Sequence, residues 1–212
     1  MIEDQIADLK GLPPDPVTMR RLFLLLTRLN FSDPKHYGSY YEKQLSNIVY
    51  SDAPEERTLG VDLLSIYAPS KTFSRPAVFV GFGGGEAGGI KFDRVSVADF
   101  AGMSADNSRT YRVKMVGSTL KIVHTAKDPD QALALCTISA TYFMGIQGIL
   151  LRTFGLIGFS VEGMSDATLV EKSPDSCFSC TLTASVHYEY EVSAALESHR
   201  IKKFTDTLDA LT

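Results

Sequence analysis

Between Phe178 and Val192 apolar and polar residues alternate without a break. Phe178, Cys180, Leu182, Ala184, Val186, Tyr188, Tyr190 and Val192 fall on one side, and Ser, Thr, His and Glu fall on the other. Side chains point to opposite faces of a strand with period two, so the pattern predicts one β-strand in an antiparallel sheet with an apolar and a polar face. At about 3.3 Å per residue it reaches roughly 50 Å, far beyond the usual strand of about 5 or 6 residues. A strand of that length suits a wall, a ring or a surface shared by neighbouring copies. Slipping it by one residue would bury Ser179, Thr181, His187, Glu189 and Glu191 and expose all eight apolar side chains. At roughly 1.5–3 kcal/mol per large side chain, that cost holds the register. The polar side reads either as a solvated face or as one in which His187, Glu189 and Glu191 meet a partner or a channel.

Other elements follow from the same patterning. Residues 1–15 end in Gly11-Leu12-Pro13-Pro14-Asp15 and read as an extended arm. Asp15 and Pro16 then stand at the N-cap and first position of a helix to Asn30, with Leu22, Phe23, Leu25, Leu26 and Leu29 on its apolar side. Phe31 to Thr58 reads as an irregular, tyrosine-rich connection with a short helix around Tyr40 to Ile48. Strands are predicted at Leu59–Ala68 and Ala77–Phe82. Thr110–Val116 and Thr119–Thr125 read as two strands, or as one broken at Gly117-Ser118. Short strands at Leu156–Val161 and Thr168–Val170 flank Gly163-Met164-Ser165-Asp166. A final helix is expected from Ala194, with Ile201, Phe204, Leu208 and Leu211 on one face.

Asp128-Pro129 opens the most apolar run, Gln131 to Phe154, and Gly155 closes it. No charge occurs from Gln131 through Leu151, the composition of a membrane span. Thr137, Thr141, Gly145, Gly148 and Arg152 form a small and polar stripe along it. Strands on both sides of this segment need a helix to cover them, which favours a buried helix over a span or a helix shared between subunits. The expected architecture is therefore α+β: a mainly antiparallel sheet with a long C-terminal strand, packed on one long apolar helix, with N- and C-terminal helices. We read one domain over 1–212, with residues 1–58 as arm, helix and connection and 59–212 as the sheet-and-helix core.

Charge and chemistry narrow the function. With 21 Lys and Arg against 25 Asp and Glu, the net charge of −4 and the absence of a basic run argue against duplex binding. The acidic start, Met1-Ile2-Glu3-Asp4, is unlike a signal peptide, which points to a chain made in a cytoplasm. Three cysteines argue against a disulfide framework, and Cys177 and Cys180, three apart on a strand, point to opposite faces and make poor metal partners. No metal or cofactor is expected. Gly83-Gly84-Gly85-Glu86-Ala87-Gly88 matches G-x-G-x-x-G after a strand, but Ile90 to Val97 alternates where the dinucleotide fingerprint requires a helix. A nucleotide-binding enzyme using Gly81–Gly89 is therefore the alternative from another class, and a loop that orders against a partner the preferred reading. No nucleophile elbow, Walker lysine or metal-spaced histidine pair stands out, so the chain reads as a non-enzyme. Tyrosine is enriched at interfaces, which makes Tyr37, Tyr40 and Tyr41, together with Phe82, Gly83, Gly84, Gly85 and Glu86, the candidate subunit or partner surface.

The order of parts from Arg75 onward resembles the tail terminator and neck proteins of tailed bacteriophages. The resemblance rests on Arg75-Pro76-Ala77-Val78-Phe79-Val80-Gly81, the strand ending at Asp128-Pro129, the apolar helix Ala132 to Phe154, the Gly163-Met164-Ser165-Asp166 turn, and the long strand with Tyr188-Glu189-Tyr190. It covers about two thirds of the chain, in arrangement rather than in an invariant motif; the N-terminal third has no matching part. It implies a virion protein assembled in the host cytoplasm, a ring of six copies that caps the tail tube and meets the head connector or stopper. DNA would pass through the ring without sequence-specific binding, and no membrane is involved. Another neck or baseplate subunit is the alternative within that class.

Overall fold

The computed structural model describes residues 2–12, 14–64, 76–82, 91–92, 101–103, 109–170 and 177–195. Helices α1 (Ile2–Ala7), α2 (Pro16–Asn30), α3 (Gly38–Gln44) and α4 (Pro129–Thr153) accompany strands β1 (Gly60–Leu63), β2 (Ala77–Phe82), β3 (Lys91–Phe92), β4 (Ala101–Met103), β5 (Arg109–Ala126), β6 (Leu156–Met164), β7 (Thr168–Val170) and β8 (Cys177–Ala195). The fold is α+β. The strands form one sheet in the order β1-β2-β5-β8-β6, with β3 and β4 also along β5 and β7 along β8. Among the described residues only β1 and β2 run parallel; every other pair is antiparallel.

The alternating segment forms the predicted strand and extends it to 19 residues. It pairs with β5 continuously from Arg109↔Ala195 to Ala126↔Phe178. On β5, Val116, Ser118, Leu120, Ile122, His124 and Ala126 are buried, opposite Tyr188, Val186, Ala184, Leu182, Cys180 and Phe178. All but Phe178, which is half-buried, are core on β8 as well. One face of this two-stranded ribbon is thus the floor of the core. The break expected at Gly117-Ser118 does not occur: Gly117 pairs with His187 and Ser118 with Val186, because a full-length partner strand overrides weak local propensity.

Helix α4 covers that floor. Asp128 accepts a hydrogen bond from the Asp130 N–H, Pro129 occupies the first turn, and Gly155 has φ 68°, the left-handed conformation that ends helices. The helix covers the sheet with one side. Leu135, Cys136, Ile138, Ser139, Phe143 and Leu150 are buried, whereas Thr141, Met144, Gly145, Gln147, Gly148, Ile149 and Arg152 are exposed. The small and polar stripe is its outer face, bordered by Met144 and Ile149. By length and composition alone this helix is also long and apolar enough to cross a membrane.

Helix α2 lies beside α4, over β1 and β2. The Asp15 carboxylate accepts from the Val17 and Thr18 N–H groups at 2.7 and 3.0 Å and from the Thr18 hydroxyl. Burial pushes its pKa up, but these hydrogen bonds outweigh burial and hold it below the ordinary value. Phe23 packs against Phe82, Phe143 and Phe159 at centroid distances of 5.7, 5.9 and 5.7 Å, joining α2, β2, α4 and β6.

One further correction concerns the N-terminal end. Residues 2–7 are helical rather than an extended arm: Ile2 and Ile6, four apart, bury one side with Leu9 below them, and α1 packs on α2. The prolines begin only after that helix. At the other end β8 continues through Ala195, and the helix expected from about Ala194 falls on residues 196–212, outside the described residues.

Candidate functional site

The face of the sheet opposite α4 carries the polar residues of β8. Ser179, Thr181, Thr183, Ser185 and His187 are half-buried and Glu189 is exposed. Their cross-strand neighbours include Thr125, Lys121 and Thr119 on β5 and Ser160 on β6. His187 lies between two glycines, Gly117 on β5 and Gly158 on β6. A side chain at 158 would bring its Cβ within 3.3 Å of His187 Nδ1, so the missing Cβ lets the imidazole lie close to β6. Ile157, opposite the β8 ladder at a bulge beside Gly158, is 48 % exposed. Glu191 pairs with Val113 on β5, and its side chain is outside the described part. His187 and Glu189 therefore share one sheet face, as the alternation requires.

The tyrosine-rich connection divides differently. Tyr37 is 4 % exposed, with its hydroxyl between the carbonyls of Phe31 and Ile48 and its ring edge-on to Phe31 at 5.7 Å. Burial, with the Asp33 charge, drives its pKa well above the ordinary phenol value. This ring is a core residue and leaves the candidate interface. Tyr41 is partly buried against the core, while Tyr40 is 68 % exposed and stacks edge-on to Tyr41 at 5.0 Å. Tyr50, buried and hydrogen-bonded to Asp52, lies between the guanidinium groups of Arg28 and Arg57 at 5.2 and 4.9 Å. Of the glycine segment, Phe82 is partly buried in the aromatic cluster. Gly83, Gly84, Gly85 and Glu86 lie outside the described residues. The next described residues, Lys91 and Phe92, form a strand against β5 and not the opening turn of a phosphate-binding helix.

The sequence reading passed over a polar unit inside the core. His124 Nε2 lies 2.7 Å from Ser139 Oγ on α4, and Nδ1 lies 3.3 Å from the Cys180 carbonyl on β8. A carbonyl only accepts, so the proton sits on Nδ1 and the Ser139 hydroxyl donates to Nε2. Burial lowers the His124 pKa to about 4, against opposing hydrogen bonds to Cys180 and Ile122. Both side chains are at 0 % exposure, so this pair ties α4 to the ribbon and does not meet solvent. Cys136 lies against Cys180, whose thiol donates to the Ser165 carbonyl at 2.9 Å; burial pushes the Cys136 thiol up. All three cysteines are free and buried. The signal for His124 was parity: it shares the even-numbered face of β5 with Leu120 and Ile122.

Among the described residues no group of three or more His, Cys, Asp or Glu is placed to hold a metal ion. No protein-family model matches the sequence, and comparison with curated proteins gives no significant match.

Proposed function

We propose that this chain is a structural subunit of a tailed-phage particle, a tail terminator whose copies form a ring between tail tube and head connector. One observation carries the reading. The described parts on which the resemblance rests form β2, the end of β5, α4, the end of β6 with the turn that follows it, and β8, in that order, and they join in one sheet packed on one long helix. A sheet with a ribbon of about 60 Å suits contact between stacked rings. In the ring, the β8 face with His187 and Glu189 is the candidate lumen surface, where carboxylates repel passing phosphates. Neither metal nor cofactor enters this role.

Electron microscopy of tail tubes from the same particle, incubated with the purified chain, tests the proposal. The expected result is a ring of density closing one end of each tube and arrested elongation when tube subunits are added. Tubes that keep growing, with no added density at either end, would refute it.

A further inference from the structure

We infer that Cys136 on α4 and Cys180 on β8 are a redox pair, two thiols placed to close into a disulfide when a peroxide reaches them. The inference goes beyond the ring reading and does not depend on it.

His124 and Cys180 are direct partners across β5 and β8, and both are fully buried on the side that α4 covers. Side chains directly opposite one another on antiparallel strands stand about 5 Å apart. Cys136 and Ser139, three residues apart on α4, are neighbours on one helix face at a similar spacing of about 5–6 Å. The 2.7 Å contact between His124 Nε2 and Ser139 Oγ fixes one rung between ribbon and helix. The next rung is Cys180 with Cys136, and there the two thiols meet. Ala132 and Ala140, four residues to either side of Cys136, are buried as well. Small side chains let the α4 backbone approach the strand, as the reach of a disulfide requires, with Cα atoms no more than about 7 Å apart. Cys177 is three residues from Cys180 on the same strand and so falls on its other face.

Access comes through the turn after β6. The Cys180 thiol donates to the Ser165 carbonyl at 2.9 Å, and Ser165 and Asp166 are exposed. Movement of this turn uncovers Cys180, with Cys136 behind it. Burial and the adjacent Cys180 keep the Cys136 thiol protonated, so Cys180 reacts first. Its sulfur attacks one peroxide oxygen, the O–O bond breaks, water leaves and a sulfenic acid remains. The Cys136 sulfur then attacks that sulfur, the S–O bond breaks, and the departing hydroxide takes the Cys136 proton and leaves as water. Two thiols lose two electrons and two protons, and one hydrogen peroxide becomes two waters. The new bond closes a loop that holds β6 and β7 and clamps α4 to the ribbon. In a reducing cytoplasm the thiols persist, so the clamp closes only in oxidising surroundings.

Peptide mapping by mass spectrometry without reduction, after native treatment with hydrogen peroxide and alkylation of the remaining thiols, tests this. The wild-type chain is expected to yield one linked pair of peptides, Cys136 with Cys180 and two hydrogens lighter, while Cys177 is alkylated. The oxidised chain is expected to melt about 5 °C or more above the same sample after dithiothreitol. Cys177→Ser is expected to keep both results, and Cys136→Ser and Cys180→Ser to lose both. The wild-type map alone decides the pairing, so a variant that fails to fold leaves the test standing. Cys136 and Cys180 that remain alkylatable, a link through Cys177 or to a second chain, or a melting temperature that dithiothreitol does not lower would overturn the inference.

Discussion

At the scale of single residues, the core is held by polar groups that parity and capping place inside. His124 is the most exposed to pH. Its folded pKa of about 4 lies below the ordinary 6.5, so the unfolded chain takes up the proton first. The neutral ring therefore contributes stability that is fully present above pH 6.5 and is lost as pH falls through about 4. A depression of that size corresponds to about 3 kcal/mol at ~1.4 kcal/mol per pH unit. Urea unfolding between pH 7 and pH 4 is expected to show this loss. His124→Gln, less stable at pH 7, is expected to flatten the slope by about one proton across that window; an unchanged slope would contradict the assignment. Asp15 acts with the same sign at lower pH, because its hydrogen bonds to the α2 amides favour the carboxylate.

At the scale of elements, legibility followed the reach of each residue's partners. The alternation in β8, the Asp15-Pro16 and Asp128-Pro129 starts and the Gly155 stop are local signals, and each marks an element that forms. Helix α1 was missed because the prolines at 13, 14 and 16 outweighed the Ile2–Ile6 spacing, although they follow the helix. The continuity of β5 was not legible, because Gly117-Ser118 looks like a break until β8 supplies a partner for both residues. Tyr37 shows the same limit for the candidate site. Composition marks a tyrosine as an interface residue, but only the return of Ile48 and Phe31 around it makes this one core. Conversely, the exposure of Met164 and Leu169 is not legible in the sequence, since nothing in either residue says that β6 and β7 pair, among the described residues, with β8 alone. The junction of α4 with sheet and α2 has a direct check. Phe143 is fully buried between Phe23 and Phe159, so Phe143→Ala is expected to cost about 3–5 kcal/mol in chemical denaturation. A loss below about 1 kcal/mol would mean that α4 does not depend on this aromatic contact.

At the scale of the whole molecule, the described sheet has one face packed against α2 and α4 and an opposite face that carries the polar residues of β8. In the proposed ring, copies meet through unlike surfaces, and the polar β8 face lines the opening they enclose. The reading of this chain as a ring-forming neck subunit depends on that step more than on any single side chain. Its most direct test is the native mass of the assembly recovered from the ends of tail tubes. The account predicts one discrete species of six copies of the 23.2 kDa chain, with no bound nucleotide. A monomer or a two-fold symmetric dimer in the same preparation, melting at a higher temperature when nucleotide is added, would contradict it.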